Sequence, residues 1–99
     1  MTDKELLELA AKSIGIEIKH WIGSDPHSPK WNPLKDDGDA LRLAVKLGIS
    51  IDFNFADTLG EVSAAQVLQP YQYENMGVDP YAATRRAIVR AAAEIGKGK

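Results

Sequence analysis

Two stretches of the chain alternate apolar and polar residues: Ile16-Glu17-Ile18-Lys19-His20-Trp21-Ile22 and Ile49-Ser50-Ile51-Asp52-Phe53-Asn54-Phe55. A helix cannot collect such a pattern on one side, because its faces recur about every 3.6 residues. A strand can, because successive side chains point to opposite faces. The β-branched and aromatic residues in both stretches agree with this choice. Both are therefore predicted to be half-buried strands, lying side by side in a sheet. In the first, Ile16, Ile18, His20 and Ile22 take one face and Glu17, Lys19 and Trp21 the other. In the second, Ile49, Ile51, Phe53 and Phe55 are predicted to face the core. One buried face per strand suits antiparallel pairing.

Helices are predicted around these strands. Thr2-Asp3-Lys4-Glu5 has the form of a capping box, and Leu6, Leu7, Leu9, Ala10 and Ile14 recur at helical spacing, giving a helix over about residues 3–14 with Gly15 as its stop. Asp36 or Asp37 caps a second helix carrying Ala40, Leu41, Leu43, Ala44, Val45 and Leu47, with Arg42 and Lys46 outside and Gly48 closing it. Asp79-Pro80 starts a third, with Tyr81, Thr84, Ile88, Ala91 and Ile95 along its apolar stripe and Gly96 as its end. Between them, residues 23–33 hold three prolines and form a loop, pinned to the core by Trp31. Asp57 to Gly60 supply a turn, Glu61 to Leu68 a returning strand with poor alternation near Ala64 and Ala65, and Tyr71 to Glu74 a short further strand. Pro70 fits an edge or a bend. The resulting expectation is one α+β domain over residues 1–99: a three- to four-stranded, mainly antiparallel sheet with three helices packed on it.

The composition narrows function by exclusion. The 99 residues contain no cysteine, which removes disulfides, thiolate nucleophiles and cysteine-based zinc sites. A chain of this size holds one core, so a deep pocket needs a subunit interface or a covering loop. The start Met1-Thr2-Asp3-Lys4-Glu5 does not read as a signal peptide, and no apolar run is long enough to span a membrane. These features predict a cytoplasmic location. The net charge of −2 is uneven: residues 1–78 sum to −5 and residues 79–99 to +3. The basic end can offset the dipole of the last helix or steer an anionic partner.

The block Trp31-Asn32-Pro33-Leu34, Asp37-Gly38-Asp39-Ala40-Leu41-Arg42-Leu43-Ala44-Val45 and Ile49-Ser50-Ile51, with Asp79-Pro80-Tyr81-Ala82-Ala83-Thr84-Arg85-Arg86-Ala87-Ile88-Val89-Arg90-Ala91, resembles small uncharacterised proteins of tailed phages and prophages, the NinX-like group. The likeness covers about two thirds of the chain and lies in helix starts and core spacing. It implies a phage accessory protein in a bacterial host cytoplasm. It brings no known activity and no functional residues.

Three chemistries are open to the remaining residues. Trp21, Trp31, His27, Tyr71 and Tyr73 place aromatic surface in or beside loops, which suits contact with a host or phage protein. Arg85, Arg86 and Arg90 suit a small anionic ligand or nucleotide bound by an oligomer, although Arg85 and Arg86 project about 100° apart. Asp36, Asp37 and Asp39 would suit a divalent cation in a metal-dependent hydrolase, but a helix start explains them as well. His20, His27 and Asp25 make at most a weak zinc or nickel site. No nucleophile elbow and no phosphate-binding loop is present, and the acidic body argues against nucleic acid. The leading expectation is a non-enzymatic binding protein without a cofactor.

Overall fold

The computed structural model describes residues 2–15, 31–54 and 60–99. The strand predicted over Ile16–Ile22, most of the proline-rich loop, and Phe55 with the turn after it lie outside the described residues. Among those described, three helices, α1 (Asp3–Ser13), α2 (Asp37–Leu47) and α3 (Pro80–Lys97), accompany three strands, β1 (Ser50–Asn54), β2 (Glu61–Ala65) and β3 (Gln72–Asn75). The strands form an antiparallel sheet in the order β1-β2-β3. The α+β class and the antiparallel sheet are as expected.

Helix ends follow their local chemistry. Thr2 and Glu5 close a reciprocal capping box at α1. Asp36 accepts the Asp39 amide at 2.8 Å, and α2 ends on Gly48 in the left-handed conformation. Asp79 accepts the amides of Tyr81 and Ala82 at 3.1 and 3.0 Å, with Pro80 opening α3. Each cap satisfies backbone donors that a helix start leaves without partners.

The core joins Leu6 and Ala10 of α1, Leu43 and Ala44 of α2, Val62 and Ala64 of β2, and Ala87, Ile88, Val89, Ala91, Ala92 and Ala93 of α3. Trp31 packs against it from the start of the second described segment. Four features depart from the sequence reading. First, β2 is buried on both faces. This explains its failed alternation: it is the central strand, and Ser63, Ala64 and Ala65 are small because neighbours stand on either side. It also stops at Ala65, where the chain turns.

Second, Phe53 is 52% exposed although its phase is that of Val62. Helix α3 lies over β2 and β3 rather than over β1. Third, Leu41 and Val45 of α2 are exposed, as is Tyr81 of α3; both helices carry more apolar residues than one buried stripe holds. Fourth, α3 runs through Gly96 to Lys97. Gly96 is not a stop but a contact point. A Cβ built there would lie 1.9 Å from the Leu9 carbonyl oxygen, so the α1 backbone sits directly against it.

Candidate protein-contact surface

Two regions of the described surface group most of the exposed large apolar side chains, with Val45 and Val78 standing apart. One is a groove of about 450 Å³ between α2, β1 and the first turns of α3. Its floor is Ile51, Met76 and Ile88, and its walls are Leu41, Phe53 and Tyr81. The sheet register explains the floor, because Ile51 and Phe53 share the face of Ala64 and Val62. Since α3 does not reach over β1, these side chains are only partly covered, and Leu41 and Tyr81 lean over the gap with 61% and 71% of their surface exposed. Arg85 stands at the groove with Asp37, joined at 2.6 Å. Its Nε also donates to the Leu34 carbonyl at 2.9 Å, so the one charged pair here is internally compensated.

The second region is the β2–β3 connection and the strand after it. Val67 and Leu68 are exposed at the turn. Tyr71 and Tyr73 follow on the face of Ser63, their ring centroids 6.2 Å apart and tilted by 40°. Both rings are about half exposed.

The predicted site residues thus separate. Tyr71 and Tyr73 are brought together on the outer sheet face, whereas Trp31 packs against the core. Trp21 and His27, with His20 and Asp25, lie outside the described residues. The arginines of α3 are all engaged by this chain: Arg85 by Asp37, Arg86 by Asp3 at 2.9 Å, and Arg90 by Glu74 and the Tyr73 carbonyl. They tie α3 to the start of α2, to α1 and to β3. A polar cleft of about 280 Å³ beside them holds Arg86, Arg90 and Lys97, but Lys97 in turn meets Glu94 at 2.9 Å.

The aspartates near α2 are similarly occupied. Asp36 caps the helix, Asp37 meets Arg85, and Asp39 accepts from the Asn32 amide at 2.9 Å and from Arg42 at 2.8 Å. Among the described residues no three His, Asp or Glu side chains are placed to hold one metal ion, and no helix is long and apolar enough to cross a membrane.

The groove was missed in sequence because Leu41, Phe53 and Tyr81 were each assigned to a core stripe. The available signal was excess: α2 has six apolar residues in eleven, more than the face turned inward can hide. Compared with protein-family models, curated proteins and solved structures, the chain matches none.

Proposed function

We propose that this chain is a non-enzymatic protein-binding domain of phage accessory type, acting in a bacterial cytoplasm, and that the α2–β1–α3 groove is its principal contact surface. The observation that carries this reading is the groove itself: three large side chains, Leu41, Phe53 and Tyr81, flank a partly covered apolar floor of Ile51, Met76 and Ile88. Single exposed apolar residues are ordinary, whereas a contiguous concave patch is where an apolar anchor of a partner gains most from leaving water. The phage context rests on the resemblance of the Trp31–Ile51 and Asp79–Ala91 blocks. The anion-binding alternative would require the arginines of α3 to give up carboxylates they already hold, among them the part-buried Arg90–Glu74 pair.

Site-specific photo-crosslinking tests the reading. A photo-reactive benzoyl-phenylalanine in place of Tyr81, illuminated in bacterial lysate, should give a discrete polypeptide adduct. The same group in place of the exposed Lys12 on α1 should give none. Equal smears at both positions, or no adduct at either, would overturn the proposal.

A further inference from the structure

The turn between β2 and β3 places a leucine where leucine is disfavoured. The Gln69 amide bonds to the Gln66 carbonyl at 3.0 Å, closing a four-residue turn. Leu68 occupies its third position with φ of 69°. That left-handed backbone suits glycine, because a Cβ crowds the neighbouring carbonyl. The Leu68 side chain receives no packing in return: it is 98% exposed, and its neighbour Val67 is 78% exposed. The turn is nevertheless firmly held, since the Gln66 side chain donates to the Leu47 carbonyl at the end of α2 at 2.8 Å. A rigid, strained turn that presents two bare aliphatic side chains has the form of a knob.

The same molecule carries a hole. Building on the protein-binding reading above, we propose that the groove's occupant is the Val67–Leu68 turn of a second copy of this chain, in a head-to-tail contact. The knob cannot fill its own groove. It projects beyond the Ser50–Ala65 end of the sheet. The groove reaches toward the opposite end, where the Met76 amide bonds to the Gly60 carbonyl. Four residues of strand, about 13 Å, separate the two ends.

The chemistry of the two parts matches. Gln66 to Pro70 is an uncharged run, and the groove's own charges, Arg85 and Asp37, neutralise each other. Two copies of a net negative chain therefore meet without like charges at the contact. The area sets the strength. One turn in one groove buries less than the roughly 1,200 Å² of a stable interface, so association is weak and concentration-dependent. Because knob and hole are different patches, the contact is heterologous, and each added copy leaves one knob and one hole free.

Sedimentation velocity with complementary variants tests this. The wild-type average mass should rise with protein concentration. Leu68→Asp, with a dead knob, and Leu41→Glu, with a dead hole, should each weaken association about tenfold or more and remain monomeric. Their equimolar mixture should recover dimers and nothing larger, since one variant retains a hole and the other a knob. Leu68→Gly removes the knob while relieving the backbone, so it should lose association yet melt no lower than wild type, which separates lost contact from lost folding. A wild-type monomer at every concentration, or a mixture no heavier than its components, overturns the second-copy occupant. A foreign adduct at Tyr81 in the lysate together with that monomer would overturn this inference alone. The absence of any adduct would overturn the protein-binding reading with it.

Discussion

The two halves of α3 meet their neighbours in opposite ways. From Ala87 to Gly96 the helix buries Ala87, Ile88, Val89, Ala91, Ala92, Ala93 and Gly96, and it touches the α1 backbone. From Pro80 to Arg85 it stands off from β1, holds its place through the Asp79 cap and the Arg85 bonds, and leaves Tyr81 exposed over a groove. The small residues of the C-terminal stretch, Gly96 above all, allow backbones to approach closely, where packing is dense and volume changes are felt. In the N-terminal stretch Tyr81 stays exposed beside the groove. Stability is therefore concentrated at the α1–α3 seam, and the α2–β1–α3 groove contributes surface rather than cohesion.

Substitutions can break or sharpen that contrast. The largest effect is expected for Gly96→Ala. Helix propensity favours alanine by about 1 kcal/mol, but the new methyl would overlap the Leu9 carbonyl, and a backbone atom cannot turn aside. Overpacking should win, with a net loss of about 2 kcal/mol or more in urea unfolding. A neutral or stabilising result would show that the seam is looser than described. Asp79→Ala should cost about 1 kcal/mol by removing the acceptor for two amides, and native-state hydrogen exchange should place the loss in the first turn of α3, with the amides of Ala87–Ala93 still protected.

Leu68→Gly should change stability in the other direction. Release of the left-handed strain is worth about 1–2 kcal/mol, the greater freedom of glycine in the unfolded chain returns about 0.5–1, and no buried surface is lost. A net gain of about 0.5–1 kcal/mol in thermal or urea melts is expected. Leu41→Glu, on an exposed helical position, should stay within about 0.5 kcal/mol of wild type; a loss above about 2 kcal/mol would mean that Leu41 is a core residue and the groove a closed one.

The helices were legible in sequence because their ends carry their own chemistry: Thr2 with Glu5, Asp36, Asp79 with Pro80, and Gly48 all act within a few residues of where they stand. The hairpin of β1 with β2 followed from the alternation after Ile49 and the turn residues before Glu61, whereas the place of β3 beside β2 did not. What was not legible depends on contacts between distant segments. Gly96 reads as a helix stop unless the α1 backbone beside it is known. Phe53 reads as a core residue unless α3 is known to lie over β2 and β3. Leu68 reads as the end of a strand, since its left-handed backbone appears only once the turn has formed. Tyr71 and Tyr73 were anticipated at a surface, whereas Trp31, grouped with them, packs against the core. The partners of Arg85, Arg86 and Arg90 lie on other elements, and no local spacing discloses them.

The most direct measurement is photo-crosslinking through position 81 in a chain that also carries Leu41→Glu, with the urea midpoint recorded on the same preparation. An open contact groove predicts that the adduct disappears while the midpoint stays where it was. An adduct that survives the added carboxylate, or one that is lost only together with the fold, would contradict it.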